Sequence, residues 1–579
     1  MKLTDALAKI LQREKIKNVF GLQGGAVIHI FDSIEKTNIK VTYTHHEAAA
    51  ALAATANAKV LNNIGCAVVT TGPGCTNAIT GLLAAWQDSV PCIFISGQAR
   101  SNHVSYGLKV RQVGTQEVNI CDIVKPITKY SKFIDKKENF IKEISKAIKI
   151  AKSGRPGPVW IDIPLDLQWS EIKFKYDIDK KINQKIKQKE FKRYNKSLDL
   201  IKNSKKPIFV LGFGVRTSNI QIKKIKEYTK KYNIPFVCTW NSADLIATKN
   251  DFNLGTIGMS GQRGANKAIF DSDLIVCLGT HLAIPHTTTL YDSYVKKAKK
   301  IIVNIDNNQI NNLNLKFDLK ICCDVKKYFD WLYRKKINKK DWNNKKIYKG
   351  MNWYEPLEKK LVNSNSLIHE VTKKIKEKMC VIVDGGGTAL YAAHQSSEIK
   401  ERDRIICSSA ISSMGTGLAE TLGVGKSGQF KKHLCIIGDG SFLMNIQDLQ
   451  SIVQNKINVA ILLINNNGYL AIRHSQKEFL KGRYYGTHPK WNLEMPSFEK
   501  VTKSFNLNYE KLDNIKDKKK IIDKIVKNKS PTVYEIIVDE NQSSLFKQGY
   551  LKNREGVFIP QPLSEMFPYL NKSIANTNN

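Results

Sequence analysis

The sequence has no apolar stretch approaching the ~18 residues that a membrane-spanning helix needs. Its eleven cysteines contain no CxxC pair and no His/Cys metal spacing, which leaves out zinc modules and a disulfide scaffold. Cys66, Cys92, Cys277 and Cys435 lie inside apolar runs and read as small core residues. The adjacent Cys322 and Cys323 cannot easily bridge each other, so a reducing cytoplasm is the simplest setting. Arginine is scarce, and no aromatic-interleaved basic motif of an RNA-binding module occurs. There is no short-period repeat, which excludes solenoids and propellers. The first twenty residues are amphipathic and carry Asp5 and Glu14, unlike a secretory signal.

What is present is the balance of a globular protein, with 42% hydrophobic and 25% charged residues. A chain of 579 residues can bury a large core without staples and predicts three or four domains at about 150 residues each. The net charge of +39 comes from 91 Lys and Arg against 52 Asp and Glu. The excess is mostly Lys mixed with Asn and Ile, and the clusters at 223–231 and 335–346 fall in polar stretches between apolar segments. That pattern reads as solvated surface and composition bias, with no nucleic-acid and no membrane partner.

Three blocks alternate buried-strand runs with helical patterns. The first, 1–172, contains Cys66–Thr70, Cys92–Ser96 and Val159–Ile163; a basic linker over 173–194 follows. The second, 195–335, opens with PIFVLGFG at 207–214 and continues with IPFVCTW, DLIVCLG and KIIVNID. A polar connection, 336–362, leads to the third block, 363–545, and a tail, 546–579, rich in Pro and aromatics. Continuous apolar strands alternating with helices predict an α/β chain of three doubly wound parallel-sheet domains.

The segment HLCIIGDGSFLMNIQDLQSIVQNKINVAILLINNNGYL, 433–470, carries the chemistry. It reads as a βαβ unit with Gly438-Asp439-Gly440-Ser441 and Asn465-Asn466-Asn467-Gly468 at the two strand ends, where open α/β sheets bind ligands. Asp439, Asn466 and a backbone carbonyl of the Gly468 turn can converge on one hard cation, and oxygen-only ligands suit Mg²⁺. A helix beginning near Leu443 is expected to offer free N–H groups to a diphosphate. Gly-Asp-Gly alone is also a common turn; the GDGS element followed by NN at the next strand end is far more specific.

That pair resembles the diphosphate–Mg²⁺ motif of thiamine diphosphate (ThDP) enzymes, and the chain as a whole resembles the acetolactate synthase large-subunit family. The further matches are GLQGGAVIHIFDSI (21–34), THHEAAAALAATANAK (44–59), Val68 to Gln98, TQEVN (115–119), PITKY (126–130), SGRPGPVWIDIP (153–164) and SSMGTGLAETLG (412–423). The resemblance implies a pyrimidine-binding, a central Rossmann-like and a diphosphate-binding domain, in that order. It implies that Glu47 faces the aminopyrimidine ring of ThDP and shares a proton with it. Without it, Glu47 reads as a helix N-terminal acid held by the helix dipole.

Met414 then sits where the family bends the cofactor, Gln116 lies near cofactor and substrate, and Gly25 belongs to the loop facing the reacting centre. Cofactor binding is implied for Pro73, Asn77, Gly386, Gly387, Thr388, Ser412, Gly438, Gly440, Ser441, Asn466, Tyr469 and Leu470. The chain departs from the family at Gly387-Thr388, usually Gln-His, and at Ser412, usually Gly. The implied assembly is a homodimer or homotetramer with active sites between subunits. The implied reaction is decarboxylation of pyruvate and transfer of the two-carbon unit to a carbonyl acceptor, with the cofactor as electron sink.

Two further departures bear on the acceptor. Thr115 and Ser475 stand where acetolactate synthases have Phe and Trp, which removes aromatic bulk from the expected acceptor pocket. Together with GVFIPQPLSEMFPYL (556–570) and RQVGTQEVNICDIV (111–124), they resemble homologues of surface-polysaccharide sugar synthesis. The expected acceptor is therefore a nucleotide-activated ketosugar. Acetolactate synthesis from pyruvate or 2-ketobutyrate and simple 2-keto acid decarboxylation are the alternatives. FAD stays open: Gly212-Phe213-Gly214 and Gly258-Met259-Ser260-Gly261 resemble its contact loops, but His281-Leu-Ala-Ile-Pro-His286 replaces an arginine-bearing stretch. His281 and His286 read as loop residues rather than metal ligands.

Overall fold

The computed structural model describes residues 1–176, 188–289, 291 and 293–570. Each sequence block supplies six parallel strands. The first sheet comprises β1 (Asn18–Gly21), β2 (Lys40–Tyr43), β3 (Gly65–Val69), β4 (Cys92–Gln98), β5 (Tyr130–Phe133) and β6 (Val159–Pro164). The second comprises β7 (Pro207–Leu211), β8 (Phe236–Cys238), β9 (Asn253–Thr256), β10 (Leu274–Leu278), β11 (Lys299–Asn304) and β12 (Leu319–Cys322). The third comprises β13 (Met379–Val383), β14 (Arg404–Ile406), β15 (Lys432–Gly438), β16 (Ala460–Asn465), β17 (Asn508–Leu512) and β18 (Thr532–Ile537). Their central strands are buried throughout because helices cover both faces, which is why they read as unbroken apolar runs.

The first and third sheets share one strand order, β2-β1-β3-β4-β6-β5 and β14-β13-β15-β16-β18-β17. The middle sheet runs β9-β8-β7-β10-β11-β12, the 3-2-1-4-5-6 order of dinucleotide-binding folds. Each order has a switch point, between β1 and β3, β7 and β10, and β13 and β15. Those switch points open the crevices at the strands' C-terminal ends where such sheets take ligands.

One apolar core runs from Phe94 and Trp160 of the first domain into Leu418, Ile437 and Leu463 of the third. The helix Glu47–Leu61 makes this possible. It is Ala-rich and buried on nearly all sides, so its backbone can approach the Thr416–Lys426 helix closely. A Cβ on Gly423 would run into the carbonyl of Ala53, and Asn57 Nδ2 donates to Gly423 O at 2.9 Å. The middle domain joins through Asp244, which binds Arg216 and Arg404 at 2.5 Å each, while Arg404 also reaches the Lys59 carbonyl at 3.1 Å.

The polar segments are more structured than their composition predicts. The helix Gln188–Asn203 begins inside the expected linker, and Tyr194 is wholly buried in the middle-domain core; 177–187 lie outside the described residues. Within 336–362, Trp342 is wholly buried and Lys345–Gly350 is helical. The lysines of 223–231 decorate the helix Ile222–Tyr232, whose Ile225, Tyr228 and Tyr232 face inward. Lys stems on an amphipathic helix mask the apolar stripe when composition is read in blocks. The tail forms two ribbons, Lys547–Gln548 with Met566–Phe567 and Tyr550–Lys552 with Phe558–Pro560.

Candidate active site

The expected site residues fall into two groups, at the C-terminal crests of the first and third sheets. On the first crest, Glu47 opens its helix behind His46, whose Nδ1 accepts from Ala48 N at 3.2 Å. The Glu47 carboxylate is buried and accepts a hydrogen bond from Asn77 Nδ2 at 3.0 Å. Asn77 ends the short helix that Pro73 begins, so the segment after β3 orients the acid that follows β2. Gly74 belongs to the same contact, since a Cβ there would lie 3.4 Å from Glu47 Oε1. Gln116 reaches this crest through its backbone: its carbonyl lies 3.1 Å from Thr71 Oγ1, and its φ of +59° folds the loop back over Gly72. Gly25 lies beyond β1, one residue from Ala26, whose N–H points at Thr70 Oγ1 at 3.4 Å. Gly25, Pro73, Asn77 and Gln116 are all exposed.

On the third crest, the Asp439 carboxylate organises both turns. Oδ1 accepts from Gly440 N at 2.8 Å, and Oδ2 accepts from Asn466 N at 3.1 Å and Gly468 N at 2.9 Å. Burial pushes its pKa up to about 6, against the downward pull of those N–H groups. Asn466 Nδ2 lies 3.4 Å from Thr388 Oγ1, whereas Asn466 Oδ1 is buried with no partner. Gly468 has φ +121°, and Thr487 O lies where its side chain would be. The glycine is therefore required for the turn to close.

Met414 packs against Gly386, where any Cβ would collide with Met414 Cγ. Tyr469 lies flat over Gly440 in the same way. Gly387 and Gly438 face open space. Ser412, where the family has glycine, holds φ +50°, a left-handed conformation that costs a serine roughly 1 kcal/mol or more. Leu470 begins the helix Leu470–Phe479. The expected helix start near Leu443 is corrected: helix Asp439–Met444 begins at the aspartate itself and a second, Asp448–Gln454, follows. The Gly-Ser pair permits a tight strand-to-helix turn that periodicity alone places too late.

Two contributors are absent from the motif reading. Asp384 directly follows β13 and accepts from Gly386 N at 3.2 Å and Gly417 N at 3.0 Å, tying the glycine loop to the Met414 loop. Burial raises its pKa to about 6. Its signal was legible, because CVIVDGGG repeats the apolar-run–Asp–Gly pattern of CIIGDGS. Arg473 holds the NN turn from beneath, donating to Asn466 O at 2.6 Å, Asn467 O at 3.0 Å and Thr487 O at 2.8 Å. No spacing rule announces it.

The residues present fit a divalent cation and the diphosphate it would bridge. Asn466 Oδ1 is an orphaned buried oxygen beside a buried carboxylate, an arrangement costly without a ligand. Asp439, Asn466 Oδ1 and a carbonyl of the Gly468 turn form the oxygen set that Mg²⁺ takes. Among the described residues no cluster of three His, Cys, Asp or Glu could hold a metal.

Comparison with known proteins agrees with this geometry. Residues 1–123 match the family model described as thiamine pyrophosphate enzyme, N-terminal TPP binding domain; residues 194–332 match its central domain and 384–536 its C-terminal TPP binding domain. The chain is 30% identical over 562 residues to an acetolactate synthase large subunit of Cyanidium caldarium, covering 93% of each. It is 27% identical to that of Lactococcus lactis, covering 94% of each. It is 24% identical to the acetolactate synthase isozyme 2 large subunit of Escherichia coli K12, covering 92% of this chain and 94% of that one.

Proposed function

Since the chain belongs to the thiamine pyrophosphate enzyme family, as an acetolactate synthase-like enzyme, we propose that its two armed crests together hold ThDP and Mg²⁺ for the decarboxylation of pyruvate and transfer of the two-carbon unit to a carbonyl acceptor. The observation that carries this reading is the unpartnered Asn466 Oδ1 beside Asp439. When bound, the cofactor supplies the electron sink for decarboxylation. The chain supplies the rest. Glu47, held by Asn77, shares a proton with the cofactor's aminopyrimidine nitrogen. Met414, backed by Gly386, fixes the cofactor's bend. Asp439, Asn466 and the Gly468 turn hold the cation; Gly387, Thr388, Ser412, Gly438, Gly440, Ser441, Tyr469 and Leu470 surround the diphosphate.

Neither crest encloses a ligand by itself, and a homodimer or dimer of dimers would complete the site. The exposure of Gly25, Pro73, Asn77 and Gln116 supports this, as do Leu108, Val110 and Val113, which are 48–58% exposed in the loop before Gln116. The eleven unpaired cysteines favour a cytoplasmic setting, and among the described residues no helix is long and apolar enough to cross a membrane.

For the acceptor we favour a nucleotide-activated ketosugar. Thr115 and Ser475 are small and exposed, and exposed Lys109, Arg111, Lys477, Lys481 and Arg483 lie near them in sequence, suited to an anionic acceptor. The names of the relatives favour acetolactate formation as the second reading. The test is product analysis from pyruvate with ThDP and Mg²⁺, with and without a 4-keto nucleotide sugar. A two-carbon adduct forming only with the sugar supports the first reading; acetolactate formed at an enzymatic rate from pyruvate alone sinks it.

No flavin enters this reading. The N–H groups of Gly212 and Gly214 bond Leu278 O and Gly279 O, and those of Gly258, Met259 and Gly261 bond Asn266, Pro285 and Gly258. Burial pushes His281 down to about 4 and His286 to about 3, so neither ring brings a positive charge at neutral pH. N–H groups already spent within the protein speak against a dinucleotide diphosphate on these loops. A purified protein without absorbance near 450 nm is expected.

A further inference from the structure

One densely bonded carboxylate of the first domain has no part in the site described above. Asp162, on β6, is wholly buried. Ser96 Oγ donates to its Oδ1 at 2.6 Å; Gln98 Nε2 and Tyr106 OH donate to its Oδ2 at 3.0 and 3.1 Å. Burial pushes its carboxyl up to about 7, a cost that a purely structural role could avoid with an apolar residue.

Its partners lead in one direction. Gln98, also wholly buried, ends β4. Its Nε2 donates a second time, to Val118 O at 2.8 Å, and its Oε1 accepts from Thr71 Oγ1 at 2.7 Å. The Thr71 hydroxyl also lies 3.1 Å from Gln116 O. Asp162 therefore fixes which end of the Gln98 amide is the donor, and Gln98 pins the loop at Val118, two residues beyond Gln116, while Thr71 touches both Gln98 and the Gln116 carbonyl. Tyr106 approaches from the loop's other end, stacked on Phe133 with ring centroids 4.4 Å apart. The loop needs such an anchor. Gln116 is held at φ +59°, an unfavourable conformation for a residue with a side chain, and 107–113 are all exposed.

We infer that Asp162 is a positioning residue for the Tyr106–Val118 loop: by orienting Gln98 it sets the Gln116 end of the loop against the Glu47 crest. This rests on the ThDP reading only in what Gln116 does there; the latch itself does not.

The experiment is amide hydrogen exchange of the whole protein with steady-state kinetics, on Asp162→Asn and on Tyr106→Phe. An asparagine at 162 places an N–H₂ among three donors, so exchange across 105–118 is expected to rise about tenfold, the scale of one lost buried hydrogen bond. The remainder of the first sheet stays protected. The Michaelis constant for the acceptor rises while the melting temperature stays within a few degrees. Tyr106→Phe, which removes one hydroxyl only, gives the same pattern more weakly and reads the latch even if Asp162→Asn does not fold. Unchanged exchange in 105–118, or loosening spread evenly over the sheet, overturns the latch. A loosened loop with unchanged Michaelis constants overturns the positioning role. A wild-type protein inactive on every pyruvate reaction would remove the pyruvate reading while leaving the exchange result interpretable.

Discussion

The middle and third domains end their central strands in similar glycine-bearing turns, yet they spend those turns differently. On the third crest, Gly387 and Gly438 face open space and Asn466 Oδ1 is unpaired. On the middle crest, Gly214 and Gly279 are packed against each other so tightly that a Cβ on either would lie 2.7 Å from the other's Cα. The middle sheet even has the strand order of dinucleotide-binding folds. A glycine turn at a switch point is thus a place where a ligand can approach. It becomes a cradle only when the neighbouring chain leaves polar atoms unspent.

The comparison breaks most visibly through Asp439→Ala and Gly214→Ala. Losing the Asp439 carboxylate should weaken Mg²⁺-dependent ThDP binding by more than about 100-fold, beyond the effect of a change behind a metal ligand. Turnover falls with it. Stability should fall as well, because three N–H groups lose their acceptor. Gly214→Ala should touch stability alone, costing roughly 1–3 kcal/mol by overpacking while leaving turnover per folded molecule intact. Calorimetric binding and thermal melts on both variants separate the outcomes. A Gly214→Ala protein that melts normally but loses turnover would make the middle crest a working site.

A second pair sharpens the point within the third domain. Asp439 and Asp448 are both buried, but Asp439 accepts three N–H groups whereas both oxygens of Asp448 lack partners. Burial pushes Asp448 up to about 8. With the folded pKa raised above the unfolded one, the folded state binds the extra proton. The stability from that proton is complete below about pH 4 and is lost as pH rises towards about 8. Asp448→Asn removes the dependence. Its melting temperature relative to wild type should rise steadily between pH 5 and pH 8. A difference that stays flat across this range would mean that Asp448 has a charged or hydrogen-bonding partner in solution.

The three-sheet architecture and the third crest were legible because buried parallel strands leave unbroken apolar runs and because a cation site requires fixed residue types at strand ends. Asp439 and Asn466 meet as their spacing implies. Glu47 and Asn77, thirty residues apart, also meet, a contact that neither spacing nor the resemblance announced. What stayed hidden depends on packing between distant segments. Arg473 acts on backbone carbonyls, which have no sequence signature. Tyr194 and Trp342 are core residues inside Lys-rich stretches, where composition averages out the one side that faces inward. The Asp162–Gln98–Thr71 chain joins two strands and the turn after a third, and nothing local to any one of them announces it.

The smallest expected effect tests the middle crest from its other side. His286 stands edge-on to Trp240 at 5.6 Å, and His394 stacks on the same indole at 5.7 Å; all four imidazole nitrogens are buried without partners. If this crest is only packing, those nitrogens contribute nothing that a hydrocarbon ring would not. His286→Phe keeps the ring and removes the unpaired polar atoms, so stability should stay within about 1 kcal/mol of wild type or improve. Turnover should be unchanged. A loss of several kcal/mol in a chemical melt would instead mean that the ring nitrogens bind something in solution, a water or a small polar ligand. The middle crest would then, like the third, hold polar atoms in reserve for an occupant, and the contrast between the two would be one of ligand rather than of kind.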